Sequence, residues 1–296
     1  MTHRHAVLVL AHHQPRVLAS LLESLRHPAI DVYVHVDAKS DLTPFLSAAP
    51  ERDGLTYLHE RRTVSWGGFS IVEATLDLIA AAQASGQGHV RFSLLSGADL
   101  LIAPLDDVLA AWSTDTEFLR VDHRLTGPGS QRGHVVARRH FADRSGPVWA
   151  RLSGRLPRRV DDTIPLVQGS MWWSLTPAAI AEVTGFLAAH PQWLRFHRHT
   201  LCPDEVVFHS IVAASPLADR IAQHVDRESD IAAYLAHPLH GMHHIDWSDR
   251  QAVNPRTFTA TDEAELRRSP ALFARKVDDS GLALIDAFRS SEPVTP

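Results

Sequence analysis

Apolar runs of strand length alternate with helix-spaced stretches through the first hundred residues, and this alternation restricts the fold more than any other feature. Ala6–Ala11 (AVLVLA) is a continuous apolar run, the pattern of a strand buried on both faces. In the next stretch (QPRVLASLLESLRH), Val17, Leu18, Leu21, Leu22 and Leu25 recur at helical spacing. Asp31–Asp37 (DVYVHVD) reads as a second strand and Phe69–Ser85 as a helix. His89–Leu100 (HVRFSLLSGADL) reads as a strand running into a glycine turn. This order predicts an α/β fold with helices covering a mainly parallel sheet. Ligands of such sheets lie beyond the carboxyl ends of the strands, where the sequence places His35, Asp37, Ser96, Gly97 and Asp99.

Further along, Glu117–His123 (EFLRVDH) predicts another strand. Leu166–Thr176 (LVQGSMWWSLT) returns to strand character before a helix with Thr176 as N-cap and Pro177 at its first position. Between these, His123–Pro165 has little periodicity. From Arg132 to Arg159 it holds eight arginines and one acid, Asp143. That composition fits either a solvated surface loop or a mobile wall contacting an acceptor or an anionic surface. The C-terminal quarter ends in a loop and a short helix. No linker, repeat or low-complexity tract divides the 296 residues, so a single domain is expected.

Composition excludes several function classes. With 45% hydrophobic and 21% charged residues, the chain is of the soluble globular type. A formal charge of −5 argues against nucleic acid as partner. Cys202 is the only cysteine, so no intrachain disulfide forms; it reads as a small packed thiol. The run AVLVLA is too short for a signal-peptide core or a bilayer span, which predicts a cytoplasmic protein with at most peripheral membrane contact. The 20 histidines cluster at His12-His13, His197/His199 and His237/His240/His243/His244, without an HExxH motif or a cysteine group, so no metal site is expected. Gly127–Gly133 (GPGSQRG) lacks the GK[ST] ending of a P-loop, and no GxGxxG follows the first strand. Only Lys39 and Lys276 among 29 basic residues are lysines; they either mark places that need a compact ammonium or reflect chance.

Three short stretches carry candidate chemistry. Leu201–Glu205 (LCPDE) puts two carboxylates and a proline at a helix start, where the first N–H has no intrahelical partner and negative charge is stabilised. Asp204 and Glu205 therefore either cap that helix or hold a general base beside a cleft. In Val64–Ser70 (VSWGGFS), Gly67 and Gly68 permit close backbone approach or unusual φ values. Trp66 either stacks on a sugar or base or fills a tight turn. In GSMWW, Trp172 and Trp173 fall on opposite sides of a strand, so only one need face a cleft.

Seven blocks in order, LVLAHHQPRVLASLLESL, YVHVDAKS, VSWGGFSIVEATLDLI, FSLLSGADL, GSMWWSLT, CPDEVVFHSIV and LFARKVD, extend from about residue 6 to 278. Together they resemble the core-2/I-branching family of glycosyltransferases, which includes branching β-1,6-N-acetylglucosaminyltransferases and peptide O-xylosyltransferases. The resemblance implies a GT-A fold, a Rossmann-like nucleotide half (about 1–122) merged with an acceptor half (about 123–296). It implies inverting transfer from a UDP-sugar, with N-acetylglucosamine ahead of xylose, and one base for the acceptor hydroxyl. Glu205 aligns with the family's base, and Asp204 would orient the helix start or the acceptor. The family is metal-independent, and SGADL carries only Asp99 in place of a DxD motif. No metal or cofactor is therefore expected, and fixed cations would offset the leaving UDP. Lys276 aligns with the diphosphate-binding lysine, with Arg256 (NPRTF) as its partner and Arg275 as a possible substitute. His35 and Asp37 would border the uracil or ribose, Trp66 and Asp99 the donor sugar, and Trp172 and Trp173 the acceptor side. The arginine-rich stretch matches no block, which leaves the acceptor open among a glycan, a lipid-linked sugar and a small metabolite. Without the anchor, stem and cysteines of animal members, the sequence resembles a short soluble bacterial-type form. Two other readings of the residues are a non-catalytic sugar-nucleotide or glycan-binding module and a His-liganded metal hydrolase.

Overall fold

A computed structural model describes residues 3–126, 130, 132–249 and 252–290. Strand β1 (His5–Ala11), helix α1 (Pro15–Ser24), strand β2 (Ile30–Val36), helix α2 (Thr43–Ala48), strand β3 (Leu55–Tyr57), helix α3 (Ser70–Ala84) and strand β4 (Arg91–Ser96) follow in turn. β1 lies parallel between β2 and β4, and β3 adds to β2, also in parallel. Ala6, Val7, Leu8 and Val9 have no accessible surface. Ala6 and Leu8 pack with Val72, Leu78 and Ile79 of α3, whereas Val7 and Val9 pack with Leu18, Leu21 and Leu22 of α1. Period-two alternation thus feeds a separate core on each face of the sheet, at roughly 1.5–3 kcal/mol for each large side chain buried.

Three expected elements are more broken than their apolar content predicts. The stretch His89–Leu100 divides at the Ser96-Gly97-Ala98 turn. A Cβ on Gly97 would lie 2.9 Å from the Ala11 Cβ, so only glycine lets the chain pass over the end of β1. Beyond the turn, β5 (Asp99–Leu101) leaves the main sheet for a four-stranded sheet, in which it pairs antiparallel with Phe273–Arg275. Helix α4 (Leu105–Trp112) then leads into β6 (Glu117–Arg124). The stretch Leu166–Thr176 yields two short strands. Val167–Gly169 pairs antiparallel with β6, and Ser174–Leu175 is wedged antiparallel between β4 and β6. With Ile221–His224 parallel to β6, the main sheet reaches eight strands drawn from both halves of the sequence.

The third difference concerns the acidic pair. Pro203–Glu205 is a 3₁₀ turn, and the α-helix begins only at Val207, running to Ala213. Cys202 precedes the turn with φ 48°, a left-handed conformation that redirects the chain and keeps the carboxylates off the helix proper. The helix after Thr176 forms as expected, with the Thr176 hydroxyl accepting the Ala179 N–H at 3.2 Å. No helix among the described residues is long and apolar enough to cross a bilayer. Gly127, Pro128, Gly129 and Gln131 of the GPGSQRG stretch lie outside the described residues.

Candidate active site

Glu205 and Asp204 form the acidic end of the site. Gln168, buried on its strand, donates from Nε2 to Glu205 Oε2 at 2.6 Å. Asp204 is buried, and its Oδ1 finds no donor. Burial pushes both carboxyls up, Asp204 to about 8 with help from the neighbouring Glu205 charge, and Glu205 to about 7. The Gln168 hydrogen bond and the Arg132 charge pull Glu205 back down. When the adjacent pair holds one proton, Asp204 carries it and Glu205 is ionised, because Glu205 has the Gln168 amide and the Arg132 charge in its favour, whereas Asp204 has a backbone donor alone. Burial likewise pushes the Cys202 thiol up, which leaves it unreactive as a nucleophile.

The VSWGGFS turn packs against Cys202, two residues before Asp204. Cys202 N–H donates to the Gly67 carbonyl at 3.0 Å, and Gly67 has φ 67°. Trp66 projects from the turn with 72% of its surface exposed, so the buried-turn reading is replaced by an open indole. The turn ends at α3, whose N-cap position is Phe69 and supplies no capping side chain. Asp143 takes that role from far along the chain. Its carboxylate accepts Phe69 N–H at 2.6 Å, Ser70 N–H at 3.3 Å and the Ser70 hydroxyl at 2.5 Å.

A cationic cluster gathers at the carboxyl ends of β1, β2 and β4. Arg275 Nη1 donates to Asp99 Oδ1 at 2.9 Å, and its guanidinium lies 4.1 Å from the centre of the Trp172 ring. Asp99 is fully buried; Oδ2 accepts Ser96 N–H at 2.7 Å and faces His243 Nε2 at 3.1 Å. Lys276 follows Arg275, and Val277 N–H donates to the Ala98 carbonyl at 2.9 Å, which ties the pair to the end of β4. Burial and the adjacent Arg275 charge lower the Lys276 ammonium. His12, just after β1, lies within electrostatic reach of Asp37, Arg275 and Lys39.

One short segment joins the two ends. Gln168 holds Glu205, and Trp172, four residues later, stacks on Arg275. Four residues span at most about 14 Å. The arrangement presents a carboxylate able to accept a proton on one side and a focused positive charge on the other, with an exposed indole at the rim.

A profile of the Core-2/I-Branching enzyme family matches residues 6–268. The chain belongs to this family. Among curated proteins it is similar to xylosyltransferase 2 of Canis lupus familiaris, 25% identical over 95% of this chain and 33% of that protein. It is also similar to xylosyltransferase 1 of Rattus norvegicus, 24% identical over 92% and 33% of the two chains. A xylosyltransferase of Ciona intestinalis is 25% identical over 90% and 31%. The chain therefore spans about a third of the length of the curated relatives it matches.

On this branching-enzyme fold the expected residues separate. Glu205, Asp204, Trp66, Arg275 and Lys276 fall at the two ends just described; Trp172 is buried against Arg275 at the cationic end and not on an acceptor surface, and Asp99 is buried and holds Arg275 instead of bordering a sugar. Asp37 stands beside them, accepting Lys39 N–H at 2.9 Å with the Lys39 ammonium 3.4 Å from its other oxygen. His35 is buried, and its Nε2 accepts Arg62 N–H at 2.8 Å, so the ring shapes the wall and offers a ligand little surface. Two further expectations need correction. Trp173 has no accessible surface and packs against Phe208 at 5.4 Å between ring centres, so it belongs to the core and not to an acceptor surface. Arg256 runs beside Lys276, with Phe258 N–H donating to the Lys276 carbonyl at 2.8 Å. Its guanidinium, however, is held by Asp246 at 2.7 Å, Asp262 at 3.4 Å and Glu265 at 2.7 Å. Three carboxylates around one guanidinium leave that spot negative, which suits a diphosphate poorly. Gln168, His243, Asp143 and Arg132 were not singled out. Each acts through a partner distant in sequence, and no local pattern marks such a role.

Proposed function

We propose that the chain is an inverting glycosyltransferase that moves a sugar from a UDP-sugar to an acceptor hydroxyl, with Glu205 as general base. The observation that carries this reading is the Gln168–Trp172 segment, which links a carboxylate of raised pKa to the Arg275–Lys276 pair. The acceptor O–H donates to the free oxygen of Glu205 and loses its proton there as the oxygen attacks the anomeric carbon from the face opposite the nucleotide. The bond to the UDP oxygen breaks in the same step. The Arg275 guanidinium and the Lys276 ammonium offset the charge that gathers on the departing diphosphate, so transfer needs no metal. Asp99 and His243 position Arg275, and Trp66 covers the donor sugar. The relatives' names move xylose ahead of N-acetylglucosamine as the sugar transferred. A glycan, a peptide hydroxyl or a lipid-linked sugar supplies the acceptor oxygen.

Glu205→Gln keeps the shape and the Gln168 contact surface but removes the base. Transfer falls by roughly 10²–10⁴-fold while UDP binding, read by calorimetry, stays within about twofold. Near-normal turnover in the variant refutes the assignment of the base. Turnover that survives EDTA is expected, and dependence on added manganese overturns the metal-free step. Thermal shifts with UDP-xylose, UDP-N-acetylglucosamine, UDP-glucose and UDP-galactose rank the donors; no shift with any of them defeats the donor class.

A further inference from the structure

The arginine-rich stretch folds into a small platform that carries exposed arginines with no carboxylate partner among the described residues. Arg138–Arg139 pairs antiparallel with Leu156–Pro157, and a short helix, Pro147–Leu152, closes the ribbon. Its inner side is packed: Phe141 meets Trp149 and His199 at 5.1 Å between ring centres, and Arg144 lies over Trp149 at 4.3 Å. Arg158 is spent inward, donating to the Val136 carbonyl, the Phe196 carbonyl and the Thr200 hydroxyl at 2.5–2.7 Å. Asp143, the one acid of the stretch, is consumed at the start of α3. Arg132 lies within electrostatic reach of Glu205, and Arg159 pairs with Asp162. Arg138, Arg139, Arg144, Arg151 and Arg155 remain, all exposed. Among the described residues no carboxylate comes within ion-pair distance of any of the five, although the whole chain carries 34 acids against 29 basic residues. Val148 and Leu156 stand among them with 63% and 39% of their surface exposed.

We propose that this platform docks on the surface of an anionic phospholipid bilayer. Charge complementarity selects the partner: exposed guanidinium groups without a carboxylate partner, those of Arg139, Arg151 and Arg155 among them, match headgroup phosphates, and each basic residue near such a surface strengthens binding about fivefold. The two apolar side chains set among the arginines enter the headgroup layer, as on interfacial helices. A purely polar acidic partner gives no use to an exposed valine and leucine. The docking stands apart from sugar transfer and holds whether or not the proposed reaction is correct.

Co-sedimentation of the full chain with vesicles tests it. Vesicles of phosphatidylcholine with phosphatidylglycerol, at about 3:1, should carry the protein down at low salt, whereas pure phosphatidylcholine should not. About 1 M salt, where the screening length falls to about 3 Å, should release it. Arg151→Gln with Arg155→Gln should weaken binding about 30-fold, from about fivefold for each arginine. Val148→Asp should weaken it as well, while Arg220→Gln, on the exposed 3₁₀ turn Ala218–Arg220 outside the ribbon and its helix, should change nothing. Circular dichroism on each variant confirms that the fold is kept. No binding to the anionic vesicles overturns the proposal, as does equal binding to both vesicle types or an equal loss in Arg220→Gln. Binding to polyglutamate with none to vesicles also overturns it, in favour of an acidic protein partner.

Discussion

Gly68 and Asp143 should behave as one thermodynamic unit although they are distant in sequence. A Cβ on Gly68 would lie 2.2 Å from Asp143 Oδ1 and 2.7 Å from its Cγ, closer than real contacts allow. Gly68 does not have a positive φ, so alanine suits its backbone and the carboxylate is the only obstacle. Asp143 is exposed and the free end of a side chain, so in Gly68→Ala it swings into water. The swing abandons the bonds to Phe69 N–H, Ser70 N–H and the Ser70 hydroxyl, and Phe69 and Ser70 are buried. Loss of a helix N-cap costs about 0.5–2 kcal/mol, and a hydrogen bond to a charged group contributes about 1.5–3 kcal/mol. Discounted for the exposure of Asp143, each single variant, Gly68→Ala or Asp143→Ala, should lose about 2 kcal/mol. In the Asp143→Ala background the Gly68→Ala change removes no bond and should gain about 0.4–1 kcal/mol by stiffening the unfolded chain. Urea denaturation of the four proteins then gives a coupling energy of about 2 kcal/mol or more. Additivity within about 0.5 kcal/mol would falsify the shared role.

Further outcomes follow from the site. Glu205, pushed up to about 7, should give kcat/KM an acid limb near neutrality, and Gln168→Leu, which removes a donor to the ionised form, should move that limb to higher pH; an unmoved limb removes Gln168 from the argument. Asp204 is raised in the folded state, so its stabilising contribution is present below the ordinary carboxylate range and lost as pH rises through about 8. Asp204→Asn should therefore flatten the loss of denaturation midpoint between the ordinary carboxylate range and about pH 8, and an unchanged slope contradicts the burial argument. Arg275→Gln should weaken UDP binding by roughly 10–100-fold, as expected for a lost charge-assisted contact, whereas Arg256→Gln should leave it within about twofold. The opposite ranking by calorimetry returns Arg256 to the diphosphate.

The parts of the fold that sequence made legible are those governed by local periodicity. Ala6–Ala11, the α1 leucines and the Thr176-Pro177 helix start each satisfy a rule within a few residues, and each forms within a residue or so of its expected bounds. The second sheet was hidden because its strands are two or three residues long and pair across wide separations, Asp99 with Arg275 among them. Such strands are too short to show alternation. Within the candidate site, the residue types of LCPDE and RK point to Glu205 and Lys276 as candidates through chemistry and resemblance. Trp173 and Arg256 matched the same pattern on type alone, and burial in the core and a ring of carboxylates tell them apart. Asp143 looked like a lone acid among arginines, and its capping role depends on α3 beginning at a residue that cannot cap itself.

The two-residue strand Ser174–Leu175 has a bearing on how such a site tolerates change. Both its edges are occupied, by β4 and β6, and the Ser174 hydroxyl meets that of Ser93 at 2.7 Å, so it cannot slide without turning its side chains to the wrong faces. Working back from that fixed point, the span from the Gln168–Glu205 contact to the Trp172–Arg275 contact is metered by a handful of peptide units. Insertions and deletions between Gly169 and Ser174 would act as a change of gauge.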